Sequence, residues 1–73
     1  SMALDGGEDG LDFYRKIIKE ASRWLVSDGM VFLEIGCEQG AAVRKLLQEA
    51  DMAEIQILQD LEHRDRVAVA RKK

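Results

Sequence analysis

From Leu11 onward, apolar residues recur at spacings of three and four: Leu11, Tyr14, Ile17, Ile18, Ala21, Trp24 and Leu25 trace one face. Arg15, Lys16, Lys19, Glu20 and Arg23 fall on the other, so an amphipathic helix with its stripe in the core is expected. Asp9 suits the N-cap, with Asp12 three residues on as a weak capping box. Both acids would sit at the positive end of the helix dipole. Lys16 and Glu20 form a favourable i,i+4 pair, Lys19 and Arg23 an unfavourable one. Ser27-Asp28-Gly29 then ends the helix with a turn.

Met30-Val31-Phe32-Leu33-Glu34-Ile35 follows, bounded by Asp28-Gly29 and Gly36. The run is apolar on both alternating faces, which reads as a strand covered on both sides, as in a parallel α/β sheet. Its one polar member, Glu34, lies at the carboxyl end, where such sheets place ligands. Ala41 to Ala50 is a second amphipathic helix, with Ala42, Val43, Leu46, Leu47 and Ala50 inward and Arg44, Lys45, Gln48 and Glu49 outward. Glu54 to Gln59 alternates with period two, placing Ile55 and Ile57 on one face of a half-buried strand. Asp60 to Asp65 is a polar turn, and Arg66 to Arg71 alternates again, so the last two strands make an antiparallel hairpin. The order is helix, strand, helix, strand, strand, without repeats or low-complexity segments.

Composition narrows the class. At 73 residues the chain is at most one small domain, near the lower limit for a self-sufficient core. With 47% hydrophobic and 34% charged residues it is neither a disordered tail nor a membrane protein. No apolar run approaches the ~20 residues that span a bilayer. Ser1-Met2-Ala3-Leu4-Asp5 has no signal-peptide pattern, and Ser1-Met2 reads as a cloning remnant ahead of a chain that was cut or restarted. The single cysteine agrees with a reducing, cytoplasmic setting. Net charge is -3 and the only basic block is Arg71-Lys72-Lys73, which argues against direct nucleic-acid binding. Ala3 to Gly10 is glycine- and acid-rich; Gly6-Gly7 excludes a helix or strand interior, leaving a loop.

The candidates for chemistry are few. Gly36-Cys37-Glu38-Gln39-Gly40 puts two glycines after a strand, but its spacing matches neither the dinucleotide fingerprint nor the phosphate loop, and Glu38 would repel phosphate. His63, the only histidine, falls in the hairpin turn without an assured partner or pocket. Cys37 follows the strand with no histidine near it in sequence. No His, Cys or carboxylate cluster has metal-ligand spacing. Glu34, in so apolar a run, calls for a cationic partner, and Arg66 or Arg64 could supply one if the last strand lies beside it.

Three segments in register carry a resemblance: Ala3-Leu4-Asp5-Gly6-Gly7-Glu8-Asp9-Gly10-Leu11 with Phe13-Tyr14-Arg15; Leu33-Glu34-Ile35-Gly36 with Gln39-Gly40; and Asp60-Leu61 with Arg64-Asp65-Arg66-Val67. Together they resemble the release-factor glutamine methyltransferases, the HemK/PrmC family, from Ala3 to about Arg71. The resemblance implies an α/β fold: the C-terminal fragment of a class I, Rossmann-like methyltransferase. It implies a three-stranded mixed sheet with two helices on one face and the last strand inserted antiparallel between the other two. Val67 and Val69 would then flank Met30–Ile35, and a structural Glu34–Arg66 ion pair would follow.

The family methylates the glutamine of a Gly-Gly-Gln motif in peptide chain release factors, using S-adenosylmethionine. Its glycine-rich cofactor loop, its acidic ribose-binding residue and its Asn-Pro-Pro-Tyr motif have no counterpart here, and a chain with 0 prolines excludes the last outright. No catalytic, cofactor or metal residue carries over; Asp5, Gly6 and Gly7 alone match, as a loop on the substrate side. Where relatives often have Gly-Phe after the second helix, this chain has Asp51-Met52, so that helix is expected to lose its left-handed cap. Where they often have glycine before Arg-Asp-Arg, it has His63.

The expectation is thus an N-terminal loop over 1–9 and an incomplete methyltransferase domain over 10–73, inactive alone and without S-adenosylmethionine binding. The missing N-terminal part and the release factor are the partners implied. With one sheet face bare, a homodimer or higher oligomer is expected. The alternatives are a stand-alone oligomerising interaction module and a fragment of a nucleic-acid N6-adenine-type methyltransferase.

Overall fold

A computed structural model describes residues 10–73. Its elements are α1 (Asp12–Trp24), β1 (Met30–Glu34), α2 (Gly40–Glu49), β2 (Ala53–Gln59) and β3 (Asp65–Arg71). The expected order holds. The strands form one sheet in the order β1-β3-β2, and both pairings are antiparallel. β1 and β2 do run the same way, but β3 separates them, so the expected mixed sheet is in fact antiparallel throughout.

The register places Phe32 opposite Val69, Leu33 opposite Ala68 and Glu34 opposite Val67. Val67 and Val69 therefore flank β1 as expected. Successive strand residues alternate faces. Val31, Leu33, Ile55, Ile57, Ala68 and Ala70 turn toward the helices, where they meet Leu11, Ile18, Val43 and Leu47. Val43 and Leu47 are fully enclosed, each worth roughly 1.5–3 kcal/mol of burial. Ala68 and Ala70 are small because α2 lies directly over the central strand.

The other face carries no layer. Phe32 is 65% exposed there and Met30 42%. β1 is thus covered on one face only, and the run apolar on both sides marks a strand with one cover missing from the described residues. Trp24 also departs from expectation. It lies 73% exposed at the end of α1, its indole N–H donating to Glu20 Oε1 at 3.2 Å and Arg23 stacked on its ring. The remaining stripe residues are buried or half-buried. Asp9 lies outside the described residues. Leu11 holds the cap position without a side-chain bond, and Asp12 binds Arg15 at 2.7 Å.

The end of α2 corrects another expectation. Asp51 adopts φ 61°, Met52 N–H bonds Leu47 O at 3.1 Å and Asp51 N–H bonds Gln48 O at 3.0 Å. This is a complete Schellman motif with Met52 packed into the core beside Leu47. The left-handed cap is kept, with aspartate in the role of glycine. At the same end of the sheet Arg71 binds Glu54 at 3.2 Å and Asp28 at 2.8 Å. Glu54 (φ 52°) starts the bulge in β2 and Asp28 (φ 70°) the turn into β1. One arginine thus holds two left-handed residues in place.

Candidate functional site at the strand ends

The carboxyl end of β1 carries Glu34 and leads into the Gly36–Gly40 turn. Ile35 N–H bonds Arg66 O at 2.9 Å, then the chain turns through Gly36 to Gln39 and enters α2. Gln39 N–H closes the turn on Gly36 O at 3.1 Å. Its side chain closes it again: Oε1 accepts from Gly36 N–H at 2.8 Å and from the Tyr14 hydroxyl at 3.0 Å. Nε2 donates to Gly10 O at 3.4 Å. The Tyr14 hydroxyl also lies 3.3 Å from Glu34 O.

Both glycines of this turn are dictated by close approach. A Cβ on Gly36 would stand 2.8 Å from Gln39 Oε1. One on Gly40 would stand 2.3 Å from Asp65 Oδ2 and 2.9 Å from Ile57. Asp65 Oδ2 accepts from Gly40 N–H at 2.9 Å, so a carboxylate from β3 caps α2 and meets the positive end of its dipole. Asp65 Oδ1 is held by Gln59 at 3.1 Å. The Gly-x-x-x-Gly spacing therefore encodes a turn packed against two polar side chains. Cys37 and Glu38 are exposed at its tip.

The structure does not bring Glu34 and Arg66 together. Glu34 stands opposite Val67, so its side chain leaves the bare face, and Arg66, one residue away, falls on the opposite parity. Arg66 Nε instead donates to Asp60 Oδ2 at 2.8 Å. Arg64 binds the same carboxylate at 3.1 Å and Glu62 at 2.8 Å. Glu34 is exposed, which removes the desolvation cost that called for a partner. Asp60 Oδ1 takes the backbone N–H groups of Glu62 at 2.8 Å and Arg64 at 3.0 Å. The Arg64 N–H, then the Arg66 guanidinium, hold the Asp60 carboxyl well below the usual carboxylate range, against the opposing effect of burial.

His63 (φ 64°) is exposed in this hairpin turn. Asp5, Gly6 and Gly7 lie outside the described residues, though Gly10, at the end of the same glycine-rich stretch, is the residue Gln39 holds. Gln39, Tyr14 and Asp65 were missed as site-organising residues. A glutamine three residues after a glycine at a strand end is the signal for the first, because its amide can close that turn. Among the described residues no three His, Cys, Asp or Glu groups converge as a metal site. An open groove of about 400 Å³ lies between α1 and α2, lined by Arg15, Ile18, Lys19, Ser22, Leu46 and Glu49, toward the far end of α2 from this turn. No helix among the described residues is long and apolar enough to cross a membrane.

Among the described residues the carboxyl end of β1 is thus a turn packed against its own side chains, in a two-helix, three-stranded α/β arrangement. Sequence comparison gives the proteins it is similar to. The chain is 44% identical over 70 residues to a release factor glutamine methyltransferase of Thermodesulfovibrio yellowstonii. It is 46% identical over 70 residues to one of Cereibacter sphaeroides and 48% identical over 69 to one of Xylella fastidiosa. These alignments take in 94–96% of this chain and 25% of each relative, in its C-terminal part. Along almost its whole length the chain is thus similar to the C-terminal part of proteins named release factor glutamine methyltransferase, and it spans about a quarter of the length of these relatives. No family model and no solved structure matches it.

Proposed function

We propose that this chain is the C-terminal segment of a class I, S-adenosylmethionine-dependent methyltransferase that acts on the Gly-Gly-Gln glutamine of peptide chain release factors in the cytoplasm. The observation that carries this reading is the 44–48% identity with curated release factor glutamine methyltransferases along almost the whole chain. In this reading the segment is inactive alone. In support of it, the strand-end turn is packed by its own Gln39 and Asp65 side chains, and Glu38 at its tip is anionic. What the segment contributes is scaffold, namely a sheet edge at β1, a bare apolar face and a turn held in one geometry at the ligand end.

The preceding part of the enzyme would pair with β1 and supply cofactor and acceptor groups. An open edge strand carrying exposed Met30 and Phe32 suits such a junction. Two measurements test this. The intact protein is expected to transfer a methyl group to the release-factor glutamine, and titration calorimetry of the 73-residue chain with S-adenosylmethionine is expected to show no binding. Low-micromolar binding by the chain alone would overturn the scaffold reading.

A further inference from the structure

α1 carries a second stripe besides the one that packs into the core. Leu11, Tyr14, Ile18 and Leu25 face the core, while Arg15, Lys19 and Ser22 line the open groove toward α2. At about 100° per residue, Phe13, Ile17, Glu20 and Trp24 fall roughly half a turn from that groove, on the flank away from α2. They recur at spacings of four, three and four, the pattern by which one helix packs along another. Phe13 is 62% exposed and Trp24 73%, and Ile17 between them is half-buried. Glu20 is held within the stripe: Oε1 accepts the Trp24 indole N–H at 3.2 Å and Oε2 lies 3.8 Å from Arg23. Lys16, one turn before Glu20 and toward solvent, takes no part in the ion pairs along the helix, Asp12–Arg15 and Glu20–Arg23.

The stripe is complementary to itself. The midpoint between Phe13 and Trp24 is also the midpoint between Ile17 and Glu20. A two-fold axis at that point sets two copies of α1 antiparallel, with Phe13 of each against Trp24 of the other and Ile17 against Glu20. Lys16 of each copy then stands beside Glu20 of the other on the solvent side of the seam, so the charges match twice. A purely apolar partner would cover Glu20 at the centre of the seam at a cost, whereas a second copy brings a cation to it. We infer that the flank of α1 away from α2 is a docking surface for a second copy of this chain, through an antiparallel α1–α1 seam. Phe13 and Trp24 offer roughly 150–250 Å² each, and a seam this short stays below about 1,200 Å² in total, which makes a weak, reversible dimer. The surface is separate from the bare face of the sheet, and it stands whatever reaction the longer protein catalyses.

Trp24, the only tryptophan, reads this seam directly, because association through the sheet face leaves its indole in water. In the 73-residue chain its emission is expected to shift to the blue as concentration rises from about 10 µM to about 1 mM. Lys16→Glu and Glu20→Lys are each expected to raise the Kd read from that shift about tenfold, since each sets like charges together twice per dimer. Both positions are exposed, so helix content is expected to stay the same. Mixed in equal amounts, the two variants are expected to recover the wild-type shift, because each then meets opposite charge on the other. A pair within one helix cannot be restored by mixing. Single variants that shift like the wild type, or a mixture no better than either alone, would overturn the inference. So would wild-type emission fixed up to about 1 mM, which would leave the flank to a helix of the longer protein.

Discussion

Asp51 carries a left-handed backbone at φ 61° that an L side chain adopts only at a cost, reduced for aspartate by its short polar chain. It closes α2 and also binds Lys73 at 2.8 Å, but both groups are largely exposed and that pair is worth little. Asp51→Gly is therefore expected to stabilise the chain by about 0.5–1 kcal/mol, since relief of the left-handed strain outweighs glycine's extra entropy. Thermal melting checks it: a rise of several degrees is expected for a domain this small. Asp60 gives a pH signature at the same scale. Its folded carboxyl titrates below its ordinary value near 4, so between the two the unfolded chain holds more protons. Its contribution is full above about pH 4 and is lost as pH falls below that. Acid titration of stability should show a steeper fall below about pH 4 for the wild type than for Asp60→Asn, whose amide oxygen still accepts the turn N–H groups.

Elements here are held by side chains that reach from one to another, and this sets what the sequence could disclose. Asp65 caps α2 from β3, across 25 positions of sequence. Asp65→Ala should cost about 1–2 kcal/mol in urea denaturation, and Asp65→Asn clearly less because an acceptor remains. Gly40→Ala is the sharper test. Alanine is the better helix former by about 1 kcal/mol, yet its Cβ would meet Asp65 Oδ2 at 2.3 Å, so a net loss of about 1–3 kcal/mol is expected. Periodicity disclosed both helices and all three strands, because Ile18, Val43, Leu47, Leu33 and Ala68 obey local rules of three, four and two. Register was not disclosed. The alternation of β3 leaves open which residue stands opposite Glu34, and a slip of one flips every side chain. That register is fixed by bonds between segments far apart in sequence, Ile35 N–H on Arg66 O at 2.9 Å at one end of the β1–β3 pairing and Lys72 N–H on Gly29 O at 2.8 Å at the other, and these set Val67, not Arg66, opposite Glu34. Asp51 misled for a related reason: glycine is the common left-handed cap, but aspartate can fill the position.

Across the described residues, exposed apolar side chains fall into two groups. Met30 and Phe32 on β1 and Leu58 on β2 share the bare face of the sheet, since Glu34 and Leu58 both stand opposite Val67, whereas Phe13 and Trp24 lie on α1, Val26 just after it and Leu61 at the hairpin tip. β1 is also the sheet edge, and beyond Glu34 at its end it carries neither a charge nor a proline to discourage another strand. An open edge strand and a bare apolar sheet face favour association of the isolated chain. Sedimentation velocity is expected to show a concentration-dependent dimer or larger species. Phe32→Lys, in the middle of the edge strand, should shift it toward monomer at unchanged helix content, because the residue is 65% exposed and lies on the face away from the helices. Leu61→Ser should change nothing, since Leu61 is 99% exposed but isolated from the others. A wild-type chain that stays monomeric at high micromolar concentration would show that this face is tolerated bare. Its apolar residues would then reflect a demand made only in the longer protein, where a neighbouring strand and layer would cover them.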